Sequence, residues 1–247
     1  MGRSDEMDGR RCSSAGQIIF PDHFPTKIKG GIFATLVYLL CFGRASRLLY
    51  HLRDSLVEGS LFAQFLDGAA AEDKLAKNKD ILANPALLDA LIGVYERNVL
   101  GYPDTAVLPY SQALSRFPAH LQQLDMESNG KSVNRFGDPV NYPTGPIIFG
   151  EPGTNGQHSF YQLLHQGTDI TPLQFVGFKN SQMGSDVVIQ GSTSQQKLCA
   201  NVAAQIVAFA CGKDDTDLNK KFEGGRPSSI IIGEKLTPAS LGALLAH

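Results

Sequence analysis

The chain has 247 residues and a formal net charge of −2, with 24 acids set among 22 Lys and Arg, a balance that leaves no basic face for a nucleic acid. Hydrophobic residues make up 43% of it, enough for a sizeable core, which excludes a disordered chain. Cysteines at positions 12, 41, 199 and 211 are too sparse for a disulfide scaffold or a tetrahedral zinc site, so they read as buried or incidental thiols in a reducing compartment.

The first residues, 1–11, are polar and charged without an apolar centre, so no secretory signal is expected, and the expected location is the cytoplasm or a plastid. The longest apolar run, 32–42, is well short of the ~20 residues that span a bilayer, so no membrane partner is expected. His23 and His51 lack a second ligand at metal spacing and read as surface residues.

Beyond residue 60 the pattern becomes periodic. Phe62, Phe65, Leu66 and Ala69 predict an amphipathic helix. Asn84-Pro85 opens another, with Leu87, Leu88, Leu91, Ile92 and Tyr95 as its apolar stripe and Gly101 as its end. The acids on these helices, Glu72, Asp73 and Glu96, read as solvated faces. The run 106–109 suits a buried strand, and Ser111 a cap for a helix with Leu114, Phe117, Leu121 and Leu124 inside; Pro118 implies a kink or a late start. That helix delivers Asp125-Met126-Glu127 to its C-terminal end, just before the turn Ser128-Asn129-Gly130. A lone Glu at a helix end is ordinarily a surface residue, but a boundary between element and loop is also where chemistry sits in a wound sheet.

A second strand, 145–149, runs into the turn Gly153-Thr154-Asn155-Gly156 and a helix over 159–164. Strand, glycine turn and helix form a ligand-binding geometry, because glycine lets backbone approach a ligand and a helix N-terminus offers free N–H groups to an anion or oxyanion. A Gly-x-x-Gly turn alone is common. His158 sharpens it, since at a helix start the dipole favours a neutral ring able to exchange protons. His165, farther along, reads as a packing or capping residue. Next come a strand at 170–178, a long helix at 195–211, a charged loop at 214–225, a buried strand at 228–233 and a closing helix capped at Thr237-Pro238. Alternating strands and helices predict an α/β fold, a three-layer αβα sandwich with a mainly parallel sheet.

The segments LPYSQALSRFPAHLQQLDMESNGKSV (108–133) and GPIIFGEPGTNGQHSFYQLLHQGT (145–168) resemble the central signature of the glucose-6-phosphate isomerase family, and 85–101 and 170–247 extend the resemblance. It implies that 61–247 is the second sugar-isomerase-type domain, truncated at its C-terminal end, and that 1–60 is a divergent segment holding a remnant of the family's active-site arginine loop. There Gly9-Arg10-Arg11 stands where the family has Gly-Gly-Arg. The resemblance implies interconversion of glucose 6-phosphate and fructose 6-phosphate, in glycolysis and gluconeogenesis, by ring opening and proton transfer through a cis-enediol(ate). Glu127 would be the base that takes the proton from carbon two and returns it to carbon one, and His158 would assist ring opening. Arg11, Gly153, Thr154 and Gln157 would bind the sugar phosphate, with Arg11 facing the enediolate. It implies no metal or nucleotide cofactor, and a homodimer with shared active sites in which the histidine serves the neighbouring subunit. The family's phosphate grip and a lysine-bearing C-terminal helix have no counterpart in this chain, so weak or absent activity is expected of it alone. The alternative is a non-catalytic sugar-phosphate-binding fragment of the same fold.

Overall fold

The computed structural model describes residues 59–247. Arg11, His23, His51, the first two cysteines and the run 32–42 lie outside the described residues. Helix α1 (Gly59–Leu75) is followed by a 3-10 turn, Ile81–Ala83, and by α2 (Pro85–Val94), which continues through a π turn, Tyr95–Val99. Asn84 opens α2: its side-chain oxygen accepts from Leu87 N, and its amide donates to the carbonyls of Ala76 and Asn78. This explains why a polar residue only 1% exposed is tolerated there. Gly101, at φ +76, ends the segment in the left-handed region that glycine enters without strain.

Strand β1 (Asp104–Pro109) leads into a 3-10 turn, Gln112–Leu114, and then into α3 (Phe117–Leu121). Ser111 precedes that turn without a side-chain capping bond. The helix starts late, with Pro118 in its first turn, where a missing N–H costs nothing. It continues as a π turn, Gln122–Met126, and a last turn, Glu127–Asn129. Then follow β2 (Ile147–Phe149), the single turn α4 (Gly153–Gly156), α5 (Tyr161–Gln166) and β3 (Leu173–Asn180). A small hairpin, β4 (Val188–Ile189) and β5 (Ser192–Thr193), reverses through Gln190 and Gly191, both at positive φ. The chain then runs through α6 (Ser194–Cys211), β6 (Ser228–Lys235) and α7 (Pro238–Ala246), with α6 and α7 both opened by capping boxes.

Strands β1, β2, β3 and β6 form a parallel sheet in the order β2-β1-β3-β6. Alternation along the strands divides the core in two. Ala106, Leu108, Leu173 and Phe175 face Tyr161 and Leu164 of α5 and Val202 and Phe209 of α6. Val107, Val176 and Phe178 face Phe117 and the leucines of α7. Helices cover both faces, as the alternating order of elements predicts. The connections leaving β1 and β3 turn to opposite faces, creating a topological switch at the carboxyl ends of those strands.

Three expectations change. β6 is an edge strand among the described residues, with Ile230 and Ile232 36% and 57% exposed, because only β3 pairs with it. Helix α1 turns Phe65, Gly68, Ala69 and Glu72 toward α7 and leaves Phe62 and Leu66 exposed. The acids are not solvated: Glu72 is buried against His247 at 3.2 Å, Asp73 keeps one carboxylate oxygen buried, and Glu96 is half-buried. For Glu72 the reason is α7, more than 160 residues downstream of α1, whose last residue His247 bonds it.

Candidate active site

Glu127 opens the last turn of the helix that leaves β1. The π turn before it lies along β2: Gln122 donates to the Ile148 carbonyl at 2.9 Å, and the Ile148 N–H donates to Met126 Sδ at 3.3 Å. Such a widened turn re-aims the residues that follow it and recurs at functional sites. The helix end is closed by Gly130, whose N–H bonds the Met126 carbonyl, and by Lys131, whose ammonium donates to the carbonyls of Glu127 and Ser128 at 2.5 and 3.1 Å. A cation on the last carbonyls matches the helix dipole and fixes the backbone that carries the Glu127 carboxylate.

Ser128, Asn129 and Lys131 form one wall of an open cleft of about 750 Å³, with Arg135, Tyr142 and Asn98 among its other residues. The far wall is tied down from the π turn after α2, where Arg97 Nε donates to the Gly145 carbonyl at 2.9 Å and Asn98 to that of Pro143 at 2.8 Å. Glu127 is itself exposed beside this cleft.

The turn carrying His158 leaves the other end of β2. The Pro152 carbonyl accepts from the N–H groups of Asn155 and Gly156, and His158 N–H donates to the Asn155 carbonyl, all at 3.0 Å. Its glycines are set by aromatic packing. A Cβ on Gly153 would stand 2.0 Å from the Tyr110 ring, and one on Gly156 would stand 3.0 Å from that of Tyr161. Thr154 and His158 are exposed on the turn. Gln157 points inward, its amide donating to Asn201 Oδ1 at 2.6 Å and to the Tyr110 hydroxyl at 3.4 Å. The helix expected at Ser159 begins at Tyr161, so His158 sits in a turn and not at a helix start. Phe160 packs edge-on against Phe149, with ring centroids 5.3 Å apart, and the chain turns to make that contact before the helix can begin.

Glu127 and His158 are therefore held at opposite ends of β2. Asp125 and Asn129 border Gly145 on the amino side, whereas 150–158 leaves the carboxyl side. His165 packs as predicted, stacked on Phe209 at 3.8 Å, and burial lowers its pKa. Sequence reading missed Tyr110, Asn201 and Arg226. Arg226, 8% exposed, donates to the carbonyls of His165, Gly167 and Asp169 and so closes α5. Each acts across dozens of residues, a range over which local periodicity carries no signal. Among the described residues no three His, Cys, Asp or Glu side chains are grouped to hold a metal ion, and no helix is long and apolar enough to cross a membrane.

A layered parallel α/β domain with a carboxylate on a capped helix end and an imidazole on a glycine turn has close counterparts. The family model for phosphoglucose isomerase matches residues 56–247. The chain is 70% identical over 187 residues to a glucose-6-phosphate isomerase of Treponema pallidum (strain Nichols), covering 76% of this chain and 35% of that one. A glucose-6-phosphate isomerase of Treponema denticola is 72% identical over 183 residues, covering 74% of this chain and 35% of the relative. The crystal structure of a glucose-6-phosphate isomerase from Chlamydia trachomatis D/UW-3/Cx superposes with a TM-score of 0.74 at 53% identity, over 76% of this chain and 36% of that one. The chain belongs to the phosphoglucose isomerase family. It spans about 35% of the length of the curated relatives it matches.

Proposed function

We propose that the chain carries part of the catalytic apparatus of an aldose–ketose isomerase that interconverts glucose 6-phosphate and fructose 6-phosphate in glycolysis and gluconeogenesis, in the cytoplasm. The observation that carries this is that the family match at 56–247 includes both Glu127 and His158. Glu127, on a helix end closed by Gly130 and Lys131, is the base that moves a proton between the first two sugar carbons across one face of an enediolate. His158 moves the proton that opens the sugar ring. Backbone amides of Gly153 and Thr154 and Arg11 stabilise the enediolate, the Thr154 side chain contacts the sugar phosphate, and Gln157 contributes by holding the turn. Residues 61–247 are a sugar-isomerase-type domain, and 1–60 form a divergent segment. Each site is completed by a second copy of the chain.

The test is conversion of fructose 6-phosphate by the full chain and by Glu127→Gln. Removing a general base is expected to lower conversion by ~10²-fold or more. Equal conversion above background in both overturns the role of Glu127. If both stand at background while fructose 6-phosphate still raises the melting temperature, the chain is a sugar-phosphate-binding fragment instead.

A further inference from the structure

We propose that Asn201, together with Tyr110, is a positioning residue that sets the turn carrying His158, acting through Gln157. The proposal rests on the role given to His158 above. Three side chains from three elements close a triangle at the topological switch. Gln157 Nε2 donates to Asn201 Oδ1 at 2.6 Å and to the Tyr110 hydroxyl at 3.4 Å, and that hydroxyl donates to the same Asn201 oxygen at 3.2 Å. Tyr110 leaves the end of β1, Gln157 immediately precedes His158, and Asn201 lies on α6.

The roles within the triangle are fixed by chemistry. The Tyr110 phenol is protonated at neutral pH, and burial raises it further, so its hydroxyl donates. Asn201 then serves through its oxygen alone, accepting from both neighbours, which a carboxylate could also do. Tyr110 holds the turn at both ends, with its ring against Gly153 and its hydroxyl at Gln157.

The remaining backbone bonds of the turn are local. Asn155 and Gly156 bond Pro152, and His158 bonds Asn155, so these bonds preserve the shape of the turn without fixing it to the sheet. Thr154, Asn155 and His158 are exposed and bring little packing. The triangle is the polar tie from this turn to β1 and α6, and losing it lets the imidazole drift as the turn swings. A displacement of about 1 Å at a reacting group can cost ~10²-fold in rate.

The experiment is backbone amide hydrogen exchange in the full chain, with the imidazole proton resonance of His158 assigned by means of His158→Gln. Asn201→Ala is expected to speed exchange at Gly156, His158 and Ser159 by about tenfold and to shift the His158 resonance, while the amides of β1 and β3 stay within about twofold of wild type. Asn201→Asp, which keeps an acceptor oxygen, is expected to restore both readouts. The proposal is overturned if exchange at 156–159 is unchanged in Asn201→Ala, if it rises equally in β1 and β3, or if Asn201→Asp behaves like Asn201→Ala. Neither readout needs turnover. A failed isomerase assay therefore leaves the result standing, and an unchanged exchange pattern overturns the triangle whatever the assay returns.

Discussion

His247 and Glu96 show how single groups tie this fold to pH. The His247 ring lies 3.8 Å from an Asp89 oxygen and 3.2 Å from a Glu72 oxygen; Asp89, then Glu72, hold its pKa above the ordinary value against the opposing effect of burial. Glu96 is pushed up to about 7, first by burial and then by the charge of Asp89. Both groups bind a proton more tightly folded than unfolded. The stability from His247 is complete below its unfolded pKa of about 6.5 and is lost as pH rises through the higher folded value. For Glu96 the folded chain holds the extra proton between the ordinary value of 4.5 and about 7, so stability again falls as pH rises through that window. The two effects share a sign. The melting temperature is expected to fall as pH rises from about 4.5 through about 7, with the His247 contribution lost above about 6.5, and Glu96→Gln should flatten the part of the fall below about pH 7. A thermal melt series in matched ionic strength checks this, and a rising melting temperature over that range would rule it out. The candidate catalytic residues were legible because Glu127 and His158 stand in a distinctive run of neighbours. The Glu72–His247 pair was not, since its members are 175 residues apart and each looks like an ordinary polar residue.

At the scale of elements, the closest approach is between α1 and α7, and it depends on glycine. A Cβ on Gly68 would stand 1.8 Å from the Ala239 carbonyl oxygen, and one on Gly242 would stand 1.9 Å from that of Phe65. Helix propensity alone favours alanine at both positions by ~1 kcal/mol. Backbone contact this tight reverses the sign, because the helices must separate and lose packing, a strain of ~1–3 kcal/mol. Gly242→Ala is therefore expected to lower the melting temperature by several degrees, at ~2–4 °C per kcal/mol for a chain of this size. Gly93, exposed in α2 with nothing within 4 Å of an added Cβ, is the control: Gly93→Ala should be neutral or stabilising by up to ~1 kcal/mol. If Gly242→Ala melts above wild type, the tight crossing is not real. The same contact shows what sequence could and could not reveal. Helices α1, α2, α6 and α7 and the strand alternation were readable from period, caps and turn residues. Period alone does not say which face a distant helix covers, so the α1 stripe of Phe62, Phe65, Leu66 and Ala69 mixes two residues that face α7, Phe65 and Ala69, with two that are exposed, and edge strand β6 reads as buried because its isoleucines resemble those of a central strand.

At the scale of the whole molecule, the separation of Glu127 from His158 becomes a prediction about assembly. β2 is three residues long, Met126 bonds its backbone at Ile148, and the turn with His158 leaves its far end, so one chain holds the two groups at opposite ends of that strand. If the sites are shared as proposed, the imidazole comes from a second copy in a two-fold arrangement: each copy lends its histidine to the other and receives one in return. Glu127→Gln and His158→Gln should then each abolish conversion alone, yet complement when unfolded together and refolded. In a random mixture half of the dimers are mixed, and each mixed dimer has one site with both native groups and one with neither, giving about a quarter of wild-type conversion. Activity that returns on mixing, together with a mixed species by native mass spectrometry, supports the shared site. Mixed dimers without recovered activity, measured under conditions where the wild-type chain converts substrate, would mean that the two residues do not serve one reaction centre.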